Sequence, residues 1–578
     1  MLRLLHCLFL ASLVGSLPIH AAENAPAAAS ANTSPQQLIA DAIARGDANV
    51  TIPPGVYRLN DPLQIVGANG LTISARDVTF IMTRYVTALN IEKSRQVAIS
   101  GLTIDYDPLP FTQGVVTAVS DDARTVSFRV HDGYPALRPD APNAGRHIFD
   151  PANRRWKAGA NIFAYPEIKP DKGGRSGQAL FEEPQPRIAV GDLIALDWRR
   201  LSGGASAIII RACGAVTLED MWLRAAPGLA ICVRSCDDRT TLRRVRIAPG
   251  PTPVGASEAR LLSTDADAAN LADCRRGPLL EDCDFSFMGD DSLNVHGRLF
   301  PIARVESPTS LLVPKVANLP GDIHRLIRPG DTLRLMEKGS FAPVARGRIA
   351  SVTVVPGAIE MDARELAQID PKADAHPITK SFRITLAEPL PGVKEGQWFD
   401  VPEINCPGYE VRNNYFHDHR ARGLRLMGND GVVEGNRFER ITSSAIQVGG
   451  EFRYWREAGW VENLLIKNNI MKDIGFGGDL LLPGTYTPGV IAICGRTDTP
   501  AKAPGNDRIT IEGNTISNSP VAAIYAYSVA GIVIRNNAIR SVNQADASAA
   551  GRDNRLSVKE AIEVRDALKP VVEGNSVE

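Results

Sequence analysis

The sequence predicts an all-β protein: a right-handed parallel β-helix with two inserted antiparallel β-barrel modules. Three observations predict this fold. A motif recurs at intervals of about 22 residues in the second half of the chain. Short Val/Ile-rich runs are common, while long amphipathic helical patterns are scarce. Two stretches lose the repeat and instead alternate apolar with polar residues, as antiparallel strands do.

Each repeat carries an asparagine at a turn between two apolar runs, as in Val433-Glu-Gly-Asn-Arg-Phe438. A unit of this length cannot bury its own apolar face, so the units must stack on one another. Inward asparagines on successive coils can then hydrogen-bond as a ladder. Leucine-rich repeats are the main competitor, but their Leu-x-x-Leu-x-Leu spacing is missing. The aligned asparagines are Asn414, Asn436, Asn469, Asn514, Asn537 and Asn575.

The domain organisation follows from where the repeat is present and where it is interrupted. Gly-Asp turns lead into alternating strands at 191–192 and 330–331, inside the two interruptions. The predicted segments are a signal peptide (1–22), a flexible leader (23–35), the N-terminal part of the β-helix (36–110), a first inserted β-barrel module (111–200), the central β-helix with the candidate catalytic aspartates (201–297), a second inserted module (298–400) and the C-terminal β-helix (401–578).

The first residues are typical of a secretory signal peptide. Arg3 supplies a positive charge, residues 4–17 form an apolar stretch, and residues 18–22 offer a cleavage site. No later segment is apolar enough to span a membrane. We therefore expect a periplasmic or secreted protein. Its net charge of −1 gives no indication of nucleic acid or an anionic membrane as a partner.

Three cysteines precede strand-like runs by a similar offset, namely Cys213, Cys236 and Cys274. This regularity predicts inward-facing thiols stacked on successive coils, because buried free cysteine behaves like a small apolar residue. A disulfide or a metal site is the alternative. There is no Cys-x-x-Cys pair.

The candidate catalytic residues are three aspartates. Asp290 and Asp291 follow a strand-like run, and Asp267 precedes Asp291 by about one repeat. Neighbouring coils of a β-helix lie about 4.8 Å apart, so all three carboxylates are expected on one face. A carboxyl separation of about 6.5–9.5 Å leaves room for a water and predicts inversion at the anomeric carbon. We assign Asp267 as general acid and Asp290 and Asp291 as bases that hold the water. A solvated turn or a calcium site is the alternative.

Further polar residues flank these acids and are candidates for substrate binding. Asp265 lies two residues before Asp267 and is expected to face the same side. Asn294 and His296 follow the aspartate pair. Arg420 and Arg422, at a bend, suit hydroxyls or an acidic sugar; a polar turn is the alternative.

An aromatic loop at 451–460 interrupts the asparagine repeat. Trp455 can stack on a pyranose ring while Glu451 and Glu457 grip hydroxyls; a loop packed over the solenoid is the alternative. His417 and His419 are weak evidence for a metal. We expect neither a metal nor a cofactor.

Taken together, these motifs resemble glycoside hydrolase family 110, the inverting α-galactosidases that act on α-1,3-linked galactose. The resemblance covers most of the chain. Its motifs are the Val-Thr-Ile-Pro-x-Gly-x-Tyr opening at 50–57, the entry to the first insertion at 104–114, Ala266-Asp267, the stretch 289–297, Arg420-Ala-Arg-Gly423, and Tyr454-Trp455-x-Glu457-x-Gly459. It implies a parallel β-helix with β-barrel insertions, no metal, and catalysis by Asp267, Asp290 and Asp291.

The chain departs from the family pattern at three positions. The family has Asn at the position of Asp265, His at that of Asn270, and Glu at that of Gly449. These differences concern sugar recognition, so a different terminal sugar stays open. Polygalacturonases have a similar plan of three aspartates, but their Gly-His-Gly and Arg-Ile-Lys motifs are absent.

The sequence thus predicts a secreted inverting exo-glycoside hydrolase that removes terminal α-linked galactose from glycans or polysaccharides. Three alternatives stay open: a polysaccharide lyase, a β-helix glycosidase acting on a different sugar, and a non-catalytic glycan-binding solenoid. The expected partner is a carbohydrate. The sequence is also compatible with a homodimer formed through an inserted barrel.

Overall fold

The computed structural model describes residues 34–140, 145–160, 165–198, 203–316, 323–356, 380–477, 487–497, 504–543 and 560–578. The predicted signal peptide and residues 23–33 of the predicted leader lie outside this range. Strands dominate the described residues, and the only α-helices among them are Pro35–Arg45 and Ile323–Leu326, with a 3-10 turn at Pro402–Ile404. No helix in this part of the chain is long and apolar enough to cross a bilayer.

The main body is a coiled parallel sheet, which confirms the predicted parallel β-helix. One face of each coil carries the candidate site. In spatial order, this face contains the parallel strands Leu63–Val66, Leu89–Glu92, Ile208–Arg211, Ile231–Arg234, Ala269–Ala272, Leu293–Arg298, Leu424–Leu426, Ile446–Val448, Gly489–Ile493, Ala522–Tyr527 and Ile562–Arg565. The two-residue strand Glu457–Ala458 pairs with its edge at Gly297 and Arg298.

The rest of each coil forms a second parallel sheet with two files of strands. In chain order, its strands are Asn49–Thr51, Gly55–Leu59, Thr72–Met82, Val97–Tyr106, Val216–Glu219, Trp222–Leu223, Thr240–Arg243, Arg246–Ile247, Leu279–Glu281, Asp284–Ser286, Glu410–Arg412, Tyr415–His419, Gly431–Glu434, Arg437–Ile441, Glu462–Lys467, Ile470–Ile474, Asn506–Glu512, Thr515–Ser517, Val529–Ala530, Val533–Arg535, Ala538–Arg540, Val571–Glu573 and Ser576–Val577.

Two antiparallel sheets interrupt the coil. The first contains Phe111–Val119, Thr125–Val130, Gly145–Asp150, Arg155–Trp156, Glu167–Pro170, Ser176–Leu180 and Leu193–Asp197. The second contains Phe300–Pro301, Arg304–Ser307, Ser310–Pro314, Thr332–Met336, Pro343–Pro356, Lys380–Leu386 and Trp398–Asp400. The second sheet has its own apolar cluster, which includes Trp398 and Trp460.

The asparagine ladder is present as predicted. The side-chain amide of Asn436 donates to Oδ1 of Asn469 at 3.0 Å, and that of Asn469 donates to Oδ1 of Asn514 at 2.9 Å. The same contact joins the remaining aligned asparagines from Asn414 to Asn575. The interior between the sheets is apolar, so the ladder satisfies polar groups that would otherwise be buried without partners.

The cysteines among the described residues are free thiols, as predicted. Cys213, Cys236 and Cys274 are buried on successive coils, and Cys406 is buried on the next coil. The backbone N–H of Cys236 donates to Sγ of Cys274 at 3.5 Å. No disulfide joins any of the cysteines within the described ranges.

Candidate active site

A cavity of about 490 Å³ lies over the face of the β-helix that begins at Leu63–Val66. Its floor is formed by residues on or just before four successive strands of that face, from Ala269–Ala272 to Ile446–Val448. The lining residues on the floor are Asp267, Asn270, Asp290, Asp291, Asn294, His296, Arg420, Arg422, Arg425 and Gln447, and the other lining residues include Tyr165, Tyr454, Trp455, Glu457 and Arg496.

The coil brings the three candidate catalytic aspartates together. Asn270 pairs with Asn294 in parallel register, so Asp267 and Asp291 occupy equivalent positions on neighbouring coils. The coils approach closely there, because a Cβ on Gly289 would lie 2.8 Å from the carbonyl oxygen of Asp265. Asp267, Asp290 and Asp291 each place one oxygen within 4.8 Å of the others.

That limit joins the nearest oxygens of the three carboxylates, whereas the predicted separation of about 6.5–9.5 Å joins whole carboxyl groups. Asp267 and Asp291 precede their strands, which begin at 269 and 293, and therefore lie at a bend. Equivalent positions on neighbouring coils are about 4.8 Å apart, which brings the two carboxylates close. The same three oxygens are close enough to share a cation.

Two arginines hold the aspartate pair. Asp291 is buried and its Oδ1 accepts the backbone N–H of Arg422 at 2.8 Å, while the Arg422 guanidinium lies 3.5 Å away. Burial raises the pKa of Asp291, and Arg422 opposes that shift. Arg420 lies 3.1 Å from Oδ2 of Asp290 and donates to the carbonyl oxygen of Gly289 at 2.6 Å. Each member of the pair therefore has its own cationic partner.

Asp267 has a different environment. Its Oδ2 accepts from the Asn270 amide at 2.8 Å, and Asn270 also lies 3.3 Å from Nε2 of His296. His296 lines the cavity, as does Asn294, whose amide lies 3.5 Å from Oε2 of Glu457. Burial lowers the pKa of His296 to about 3, so the ring is neutral near pH 7.

Glu457 is a buried carboxylate that lies close to Arg425 and His296. Its Oε2 lies 3.2 Å from Arg425, and its Oε1 lies 3.6 Å from His296. Burial alone would raise the pKa of Glu457, but His296, Arg425 and Arg298 lower it to about 2. Glu457 is therefore ionised and can accept hydrogen bonds from hydroxyls in the cavity.

The aromatic loop places two rings at the rim. Tyr454 and Trp455 are 55% and 45% exposed, and their rings meet edge to face with centroids 4.8 Å apart. Exposed aromatic faces beside a polar cavity suit the C–H faces of a sugar ring.

Glu451 was predicted to bind substrate, but it is only 1% exposed and does not line the cavity. Its Oε2 instead accepts the backbone N–H groups of Tyr454 at 3.1 Å and Trp455 at 2.5 Å. Glu451 thus shapes the aromatic loop from within, because a tight turn leaves those N–H groups without strand partners.

Asp265 was predicted to share the face of Asp267, but it is not among the residues that line the cavity. It is buried against the first inserted module, where its Oδ2 accepts the backbone N–H of Trp198 at 3.3 Å. The prediction assumed strand alternation, but residues 265 and 266 form a bend before the strand begins.

Sequence reasoning missed several cavity residues, among them Arg425, Gln447 and Arg496. A signal was present for the first two: Arg425 and Gln447 each follow a ladder asparagine, Asn414 and Asn436, by the same interval of about 11 residues. Asn270, Asn294, Arg425 and Gln447 consequently form one file across four coils.

No protein-family model matches the chain. It is 25% identical over 506 residues to alpha-1,3-galactosidase B of Bacteroides thetaiotaomicron, covering 82% of this chain and 74% of that protein. It is 28% identical over 330 residues to alpha-1,3-galactosidase A of Bacteroides fragilis, covering 56% of this chain and 48% of that protein. Alpha-1,3-galactosidase B of Akkermansia muciniphila is 21% identical over 483 residues, covering 80% of this chain and 55% of that protein. The aligned part thus spans from about half to about three quarters of these relatives.

Among solved structures, the Dettilon tailspike protein matches with a TM-score of 0.34 and 11% identity, covering 92% of this chain and 64% of that chain. The A-module of mannuronan C-5 epimerase AlgE6 from Azotobacter vinelandii matches with a TM-score of 0.32 and 10% identity, covering 94% of both chains. Likenesses this weak carry no conclusion. The sequence matches to the relatives named above confirm the resemblance to the α-1,3-galactosidases of glycoside hydrolase family 110.

Proposed function

We propose that this protein is a secreted, inverting exo-glycoside hydrolase that removes terminal α-linked galactose. The observation that carries the proposal is the meeting of three aspartates on the floor of one cavity with aromatic rings at its rim. The cavity volume of about 490 Å³ lies in the range of small-molecule sites, about 300–1,000 Å³. The relatives named alpha-1,3-galactosidase supply the sugar and the linkage.

In the proposed reaction, Asp267 gives a proton to the glycosidic oxygen as the bond from that oxygen to C1 breaks. Asp290 and Asp291 hold a water on the opposite face of the sugar and take its proton as it attacks C1. Burial raises the pKa of Asp291, which suits a base that must take up that proton. Trp455 stacks on the sugar, and Glu457 and Asn294 receive its hydroxyls.

The test is a screen of aryl α- and β-glycosides and galactose-terminated oligosaccharides, with product anomers followed by NMR. We expect release of galactose from α-linked substrates, with the β-anomer formed first. Formation of the α-anomer first would overturn inversion and assign one aspartate as a nucleophile, since carboxylates within about 5–5.5 Å suit retention.

Asp267→Asn and Asp291→Asn are each expected to lower kcat by a factor of about 10²–10⁴. Asp238→Asn changes an exposed aspartate outside the cavity and serves as the matched control. Full activity in both cavity variants would eliminate the site. Unsaturated products that absorb in the ultraviolet would indicate a lyase, and tight glycan binding without turnover would indicate a binding solenoid.

Export is part of the same proposal and is supported by the composition of residues 1–22. Cell fractionation with amino-terminal sequencing of the mature protein tests it. A protein that stays in the cytoplasm with residues 1–22 attached would contradict it.

A further inference from the structure

A side-chain amide joins Asp267 to a buried histidine. One end of the Asn270 amide lies 2.8 Å from Oδ2 of Asp267, and the other lies 3.3 Å from Nε2 of His296. Asn270 and His296 are 7% and 1% exposed, and both line the cavity. The three side chains form one hydrogen-bonded chain behind the candidate general acid.

The proton of the His296 ring lies on Nδ1. The ring is neutral near pH 7, because burial lowers the pKa of His296 to about 3, so it carries one N–H. Nδ1 lies 2.8 Å from the carbonyl oxygen of Gly297, which can only accept. Nε2 is therefore an acceptor that needs a donor. Glu457, 3.6 Å away, is ionised and cannot supply one.

The Asn270 amide is the donor that Nε2 needs. An amide oxygen facing Nε2 at 3.3 Å would set two lone pairs against each other. The oxygen and nitrogen of an Asn amide fill the same space, so the amide can turn by 180° without displacing an atom. Its nitrogen then donates to His296, and its oxygen lies 2.8 Å from Oδ2 of Asp267. Two oxygens at that distance require a proton between them, and the carboxyl of Asp267 is the group that can carry it.

We propose that Asn270 and His296 are positioning residues that hold the catalytic proton on Asp267 in the free enzyme. This rests on the proposed function in one respect, the role of Asp267 as general acid. When substrate binds, the Asp267 O–H turns from Asn270 to the glycosidic oxygen. As the bond between C1 and that oxygen breaks, its electron pair goes to the oxygen, which takes the proton. Asp267 is left as a carboxylate.

The surrounding charges act on this chain from both sides. Asp290 and Asp291 lie within 4.8 Å of Asp267 and favour its neutral form by repulsion, whereas Arg425 favours the carboxylate. Around His296 the facing charges are Glu457, Arg298 and Arg234. The two arginines disfavour a charged His296 ring, and Glu457 favours one. Burial, which also disfavours the charged ring, has the largest effect on the pKa of His296.

The first test is the pH dependence of kcat/KM, which reports on the free enzyme. Asn270→Leu and His296→Leu should each move the alkaline limb to lower pH by about one unit, because the neutral form of Asp267 loses its acceptor chain. Asn294→Leu is the matched control: it removes the equivalent amide on the next coil, which contacts Glu457, and should leave the limb in place.

The leaving group provides a second readout. Loss of a positioned proton should slow an α-galactosyl disaccharide about 10-fold more than a dinitrophenyl α-galactoside, whose leaving group needs no protonation. An unmoved alkaline limb together with equal loss on both substrates would overturn the proposal. A merely structural role of Asn270 predicts that equal loss.

A third readout is independent of activity and uses the wild-type chain. With ¹⁵N-histidine labelling, the resonance that is missing from His296→Leu should show the neutral Nδ1–H tautomer from pH 5 to 8. An Nε2–H tautomer or an imidazolium ring there would overturn the proposal, even if the leucine variants fail to fold. If no galactoside is cleaved while the tautomer is as stated, the proposed function fails and the hydrogen-bonded chain stands.

Discussion

Asp267 and Asp291 occupy equivalent positions on neighbouring coils, although about one full repeat of chain separates them. Their surroundings differ: Asp267 contacts a neutral amide, and Asp291 contacts the backbone and guanidinium of Arg422. Two carboxylates in unlike environments are the usual basis for dividing the roles of acid and base.

The first prediction concerns the acid limb of activity. A base must be deprotonated, so activity rises as pH rises through the pKa of Asp291, which burial raises above the usual value of about 3.9. Arg422 lowers that pKa, so Arg422→Leu should move the acid limb of kcat/KM to higher pH. Arg422→Lys, which keeps a charge, is the control and should move it less. A limb that stays in place in the leucine variant would contradict the role of Asp291 as base.

The second prediction concerns the aromatic loop. Glu451 accepts two backbone N–H groups, so Glu451→Ala should loosen Tyr454 and Trp455 and raise KM about 10-fold while kcat falls less. Glu451→Gln keeps one acceptor oxygen and should have a milder effect. Steady-state kinetics measure both variants.

A double variant separates positioning from direct contact. If Glu451 acts through the ring of Trp455, Glu451→Ala should add little to the KM of Trp455→Ala. Fully additive effects would show that Glu451 acts elsewhere.

The asparagine repeat made much of the fold predictable. Ladder contacts recur wherever the aligned asparagines occur, because a buried amide must find partners and another amide one coil away supplies them. The repeat also fixed the interval that brings Asp267 beside Asp291. What it could not give is the path at bends. Asp265 departs from strand alternation for that reason.

Arg425 shows the second limit of sequence reasoning. It lies beside Asn294 in the parallel register, yet the second inserted sheet separates the two residues in the chain. Because of the insertion, Asn294 and Arg425 are not one repeat length apart in the sequence. Their alignment can be found only by counting residues from the ladder asparagine Asn414. Glu451 shows a third limit, since a carboxylate among aromatics suits sugar binding and loop capping equally well.

The third prediction concerns a buried ion pair in the second inserted sheet. Arg334 donates to both oxygens of Asp400, at 2.9 and 2.6 Å, and both side chains are fully buried. Arg334→Met leaves an uncompensated buried charge and should cost about 3–5 kcal/mol in the free energy of unfolding. Urea denaturation measures it.

The matched comparison removes both charges. Arg334→Met combined with Asp400→Leu should cost less than Arg334→Met alone, because no charge is then left buried without a partner. A double variant less stable than the single one would show that the pair contributes net stability through its geometry.

The fourth prediction concerns the ladder itself. Asn469 donates to the carbonyl oxygens of Val433 and Lys467 and to Asn514, and it accepts the backbone N–H of Asn436. It is fully buried, so Asn469→Ala leaves several buried groups without partners and should lower the free energy of unfolding by about 1–3 kcal/mol. Denaturant unfolding monitored by fluorescence gives the value.

Asn575 is the matched control for that measurement. It occupies the last position of the ladder among the described residues and is partly exposed, so water can replace the contacts that its side chain makes. Asn575→Ala should therefore cost clearly less than Asn469→Ala. Equal losses at both positions would mean that the asparagines act through the turn conformation of each coil, which both residues share, because buried hydrogen bonds would have distinguished the interior position from the terminal one.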